Sequence, residues 1–147
     1  METKTAERPQ TAQKQQMSQP QQKSSDNKSK MGDFFGKMYS FNISLKLYHW
    51  HVTGKGSYAE HMALDQALET LADALDRIVE TSLSMYGEVK VVMPETPAPT
   101  NIVEHAEKFF EYVDTQRELF TEDFSTAILD DYQEAIQQLL YRLRRLE

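Results

Sequence analysis

Residues 57–87 read SYAEHMALDQALETLADALDRIVETSLSMYG, and their periodicity decides the fold. Leu64, Leu68, Leu71, Leu75 and Ile78 recur at three- and four-residue spacing, the signature of one buried helical stripe. Ser57-x-x-Glu60 has the spacing of a capping box, and Gly87 follows the last periodic residue. A helix over about 58–86 is therefore expected. At about 100° per residue, with His61 as zero, Asp65 falls near 40°, Asp76 near 60° and Glu80 near 100°, while the leucine stripe centres near 300°. The four polar residues share one stripe that flanks the core rather than opposing it.

Working outward, Gly54-Lys55-Gly56 punctuates the chain on the N-terminal side. A second helix is expected over about 33–53, with Phe34, Met38, Phe41, Leu45, Tyr48 and Val52 on one face. On the C-terminal side, 88–100 is a connection containing Pro94, Pro97 and Pro99. Asn101-x-x-Glu104 caps a helix expected over about 102–119, with Ile102, Ala106, Phe109 and Val113 inward. A break near Thr121 precedes a fourth helix over about 123–145, carrying Ile128, Ile136, Leu139, Leu143 and, just beyond it, Leu146. Arg142, Arg144 and Arg145 end it, where cations suit the helix dipole. The expected fold class is all-α, an antiparallel four-helix bundle over 31–147.

Residues 1–30 are different. They hold seven Gln, four Ser, five Lys and Arg8, and no Val, Ile, Leu, Phe, Tyr or Trp. All fifteen aromatics lie beyond them. The segment is expected to be a disordered tail, because it has too little apolar surface to offset ordering entropy. It is either a solubilising extension or a cationic arm, in which Lys4, Arg8, Lys14, Lys23, Lys28 and Lys30 touch DNA phosphates or an acidic neighbour.

Composition removes several classes. With no cysteine there is no disulfide framework, thiolate metal site or cysteine nucleophile. No run approaches the roughly 18 apolar residues of a membrane helix, and no apolar leader begins the chain; a cytoplasmic protein is expected. The overall net charge is −7, so with +3 on the tail the rest carries −10. Such a surface repels nucleic acid.

His49 gives the polar stripe its partner. Residues 49 and 61 are equidistant from a hairpin turn about residue 55, which brings His49 level with His61 and Asp65. Two imidazoles and a carboxylate suit Fe(II), Zn(II) or Mn(II). Asp76 and Glu80 cannot join from the same chain, because 11 residues of helix separate 65 from 76 by about 16 Å. Two copies of this helix, antiparallel across a twofold axis near residues 70–71, set residue i opposite 141 − i. The 61/65 pair then meets the 76/80 pair of a second chain, in the symmetry of the commonest dimers. The bland alternative is a solvated acidic face. With 4 His and 23 acids in 147 residues, this five-residue pattern arises by chance about 4 times in 10,000.

The segment His49-Trp50-His51-Val52-Thr53-Gly54, followed by His61, Asp65 and Asp76-Arg77-Ile78-Val79-Glu80, resembles the ferroxidase signature of the Dps mini-ferritins. That family's pattern is H-W-N-V-x-G, a His twelve residues after the first, an acid four later, then D-x-x-A-E. This chain departs from the family at His51, Met62 and Thr81. The resemblance implies a ferritin-like bundle that binds and oxidises iron at an inter-subunit site, for iron storage and protection from oxidative damage. It implies His49, His61 and Asp65 as ligands from one subunit, and Asp76 and Glu80 from its twofold partner. It also implies Trp50 beside the iron, a homo-oligomer up to a dodecamer, and DNA binding through the tail. The alternative is a catalytically inert ferritin-like oligomer, a structural or interaction protein.

Overall fold

The computed structural model describes residues 23–145, which form α1 (Ser25–His51), α2 (Ser57–Tyr86), α3 (Ile102–Gln116), a 3-10 turn (Arg117–Leu119) and α4 (Asp123–Arg145). No strand occurs among the described residues. The all-α expectation holds, and α2 and α4 run close to their expected bounds.

The start of α1 differs. It begins at Ser25, not near 33, so residues 25–30 of the expected tail are helical. The Ser24 hydroxyl accepts from the Asn27 amide at 3.2 Å and caps the helix. Met31, Phe34 and Phe35 are fully buried and anchor the next turn. Once that turn is fixed, each upstream residue joins at the cost of propagation only, which is why a segment without apolar side chains is helical here. Residues 1–22 lie outside the described residues.

The expected capping box at Ser57 does not form. Gly54 and Gly56 carry the chain round the hairpin at φ of 93° and 81°, and Ser57 is already the first helical residue, with no side-chain cap. Glu60 is turned elsewhere and accepts a hydrogen bond from the Tyr48 hydroxyl at 3.1 Å. At the head of α3 the cap forms as expected, with Asn101 Oδ1 accepting from the Glu104 amide at 3.0 Å. That helix ends at Gln116 and tightens into the 3-10 turn, short of the expected 119.

One core joins all four helices. Phe34, Met38 and Leu45 of α1 meet Leu64, Leu71 and Ile78 of α2 and Leu129, Tyr132, Ile136 and Leu139 of α4, all at most 1% exposed. Between α1 and α3, Phe41 stacks on Phe109 at 4.1 Å and Phe34 lies against Tyr112 at 6.0 Å. Tyr132 donates to Asn42 Oδ1 at 2.9 Å across the centre. Arg77 pairs with Asp131 at 3.0 Å between α2 and α4, and Arg144 with Glu107 at 2.6 Å between α4 and α3. Leu146, an expected core residue, lies outside the described residues.

The Pro-rich connection is a strap laid along α1. Val92 N–H donates to the Gly32 carbonyl at 3.2 Å, and the Ser40 hydroxyl donates to Thr96 Oγ1 at 3.2 Å. Gly32, Gly36 and Ser40 are spaced four apart, so they form a track of small residues on which extended backbone can sit. A Cβ at Gly36 would lie 1.7 Å from the Val92 carbonyl oxygen, and one at Gly32 1.9 Å from that of Lys90.

His105, from the second turn of α3, links it to α1. The Ser44 hydroxyl donates to the Phe41 carbonyl at 2.6 Å and lies 2.7 Å from His105 Nε2. Burial lowers the pKa of the imidazole. Below the ordinary histidine value of about 6.5 the unfolded chain therefore takes up a proton that the folded chain resists. This contribution is complete at neutral pH and is lost as the pH falls. In urea titrations at pH 7.5 and 5.5, His105→Gln is expected to lose less stability on acidification than the parent. An equal loss in both proteins would exclude the effect.

Candidate metal centre

Three side chains converge where α1 ends and α2 begins. His49 lies in the last turn of α1. His61 and Asp65 are four apart on α2 and so project from one face. One ligand atom from each lies within 4.8 Å of the other two. His49 Nε2 is 2.8 Å from Asp65 Oδ1, and His61 Nε2 is 3.6 Å from Asp65 Oδ2. The two imidazoles stack, their centroids 3.6 Å apart and their planes at 27°.

The surroundings of the rings bear on chemistry. His61 Nδ1 lies 3.3 Å from the His49 carbonyl. Donation of an Nδ1 proton to that oxygen leaves the Nε2 lone pair facing Asp65, the arrangement by which metal-ligating histidines are oriented. His49 is 5% exposed, and neither of its ring nitrogens has an aligned hydrogen bond. The 2.8 Å approach to Asp65 is thus a close polar contact rather than a directed N–H bond. Atoms bound to one ion at about 2.1 Å stand about 3 Å apart. The pair has the spacing of co-ligands.

Asp65 is partly exposed at the rim. Burial pushes its carboxyl pKa upward, but His49 contact, with added attraction from Lys46 and His61, outweighs this and holds the group below the usual carboxylate range. It is an anion at neutral pH. Lys46 lies outside the ligand pattern of the sequence. Its ammonium lies 3.6 Å from Asp65 Oδ1 and 5.9 Å from the Trp50 ring. The signal was the three-residue spacing from His49, which sets both on one side of α1.

Asp76 and Glu80 are exposed on α2 and outside the cluster. Asp76 does border the same shallow groove between α1 and α2 as Asp65, with Tyr39, Ile43 and Leu68 between α1 and α2 along it. Trp50 is 64% exposed and His51 is exposed; neither belongs to the cluster.

The tail cations divide. Lys4, Arg8 and Lys14 lie outside the described residues. Lys23 does not hang free as an arm: its ammonium donates to the Leu119 carbonyl and sits 4.8 Å over the Tyr86 ring. Lys28 and Lys30 are in α1, and Lys30 pairs with Asp26 at 3.4 Å. Lys28 and Lys30 thus belong to the helix capped by Ser24, and Lys23, just before the cap, is held by Leu119 and Tyr86. No helix among the described residues is long and apolar enough to cross a membrane.

A family model described as "Family of unknown function (DUF5856)" matches residues 49–143. The chain belongs to that family. The DUF5856 match starts on His49 and runs into the last turns of α4, so it contains all three cluster residues. No curated protein and no solved structure matches the chain.

Proposed function

We propose that the chain is a Dps-like mini-ferritin that takes Fe(II) as substrate at the His49–His61–Asp65 cluster and oxidises it in a homo-oligomer. The observation that carries this reading is the buried His49 ring, with no aligned hydrogen bond and one nitrogen at co-ligand distance from a carboxylate. The fold supports it. The pairs His49–Asp65 and Arg144–Glu107 belong to two helical hairpins, α1–α2 and α3–α4, joined by the strap, and one long crossover is the connection expected of a ferritin-like bundle.

Neutral Nε2 atoms of His49 and His61 and the Asp65 anion would bind the ion. Asp76 and Glu80 of the partner subunit would complete the site, since both are exposed on the flank of α2 that Asp65 occupies. Tyr39, 51% exposed, and the apolar groove between the two acidic ends give a twofold contact something to bury. The balance with peroxide is two Fe(II) and H₂O₂ with two protons, giving two Fe(III) and two waters. Iron supplies both electrons and the O–O bond breaks.

Anaerobic Fe(II) loading followed by peroxide is expected to give growing near-ultraviolet absorbance. His61→Ala/Asp65→Ala and Asp76→Ala/Glu80→Ala should each abolish it. Refolding the two variants together should restore up to about half the parent activity per mixed dimer, because one of its two sites is then intact. No absorbance growth in the parent would leave an inert oligomer. Growth without rescue on mixing would place the site within one chain.

A further inference from the structure

A second site lies under the strap, remote from the metal cluster and independent of the function proposed for it. An open groove of about 290 Å³ is lined by three segments: the strap contributes Pro94, Glu95 and Pro97, α3 contributes His105, Phe109 and Tyr112, and α1 contributes Lys37. Its size is near the lower end for small-molecule sites, which run from about 300 Å³ upward. It is preformed. The prolines have fixed φ, the Ser40–Thr96 hydrogen bond pins the middle of the strap, and Phe109 is held parallel to Phe41, the planes 9° apart.

The polar groups in this aromatic space have defined roles. The single Ser44 proton goes to the Phe41 carbonyl, so the 2.7 Å contact with His105 Nε2 has the imidazole as donor. The His105 proton is therefore on Nε2, and Nδ1 is a bare acceptor with no hydrogen-bond partner among the described residues. Burial lowers the imidazole pKa and keeps that acceptor available at neutral pH. Charges of opposite sign meet the same space: the Lys37 ammonium, 4.9 Å from the centre of the Tyr112 ring, and the Glu95 carboxylate. A ligand matching these features has a flat aromatic body, a hydroxyl to donate to Nδ1, and an acid and an amine to meet Lys37 and Glu95.

We propose that the groove beneath the strap binds a free aromatic amino acid with a phenolic hydroxyl, of which tyrosine is the model, through His105, Lys37 and Glu95. The ring lies among Pro94, Pro97 and Phe109. The unpartnered Nδ1 favours a ligand that brings a hydrogen-bond donor over one that lacks it.

Saturation-transfer NMR on the full chain with L-tyrosine, L-phenylalanine, tyramine and 4-hydroxyphenylacetate at up to 2 mM tests this. Tyrosine is expected to bind at least tenfold tighter than phenylalanine and to shift the His105 Nδ1 resonance. His105→Phe should bring tyrosine to the phenylalanine level. Lys37 and Glu95 are exposed, so Lys37→Met and Glu95→Gln keep the fold, and they should selectively weaken the ligands bearing the acid and the amine. No saturation transfer from tyrosine, equal binding of tyrosine and phenylalanine, or binding unmoved by all three variants overturns the proposal.

Discussion

Asp65→Ala is expected to weaken divalent-ion binding at the cluster by more than a hundredfold. Loss of a residue that only orients a ligand costs about 10- to 100-fold in metal affinity. Asp65 is itself the anionic member of the set, and the two stacked neutral imidazoles left behind supply no charge. Co(II) titration, read by its visible absorption, measures the effect. A thermal-shift assay reads it a second way: at a hundred times the parent's Kd the ion stabilises the parent by about 2.7 kcal/mol and the variant scarcely at all. The folded state should survive, because Asp65 sits at the partly exposed rim and buries no apolar surface. Lys46→Met should move affinity in the opposite direction. The ammonium 3.6 Å from Asp65 Oδ1 neutralises the carboxylate in the ion-free chain, and an incoming cation must displace it. If Asp65→Ala binds Co(II) like the parent, the cluster is not a metal site.

Gly36→Ala is expected to destabilise the fold by about 3 kcal/mol, at the upper end of what overpacking usually costs. The added Cβ would stand 1.7 Å from the Val92 carbonyl oxygen. Its neighbour is backbone, so no side-chain rotation relieves the clash. The strap must lift, taking with it the Val92–Gly32 hydrogen bond and the burial of Val89. For a chain of this size the change corresponds to a fall in Tm of about 10 °C. Gly54→Ala is the contrast. Its Cβ would meet nothing within 4 Å, and the cost is only that of a left-handed conformation, about 1 kcal/mol. Equal losses at the two positions would show that the strap does not hold its place on α1.

Much of this architecture is legible along the chain. The leucine stripe of α2 sets a helix from 57 to 86 because its three- and four-residue spacing fits no other regular structure, and Gly87 ends it. The juxtaposition of His49 with His61 and Asp65 follows from a hairpin with a short glycine turn, where distance from the turn fixes register. Other features depend on contacts distant in sequence. A Ser-x-x-Glu pattern marks Ser57 as a cap, yet Tyr48 claims Glu60 and Gly56 takes the capping position. Composition marks 25–30 as tail, yet the buried aromatics just downstream extend the helix back to Ser25.

Spacing along the chain determined that this protein is helical, the place of α2 and α4, and that two imidazoles and a carboxylate stand together, because these are consequences of periodicity within segments and of register across a short turn. Only the tertiary structure decided that the connection after α2 lies as a strap on Gly32 and Gly36, that Lys46 pairs with Asp65, and that His105 lines the groove beneath the strap. Each of those is a contact between groups whose meeting depends on how whole helices pack, and no spacing along one segment encodes it.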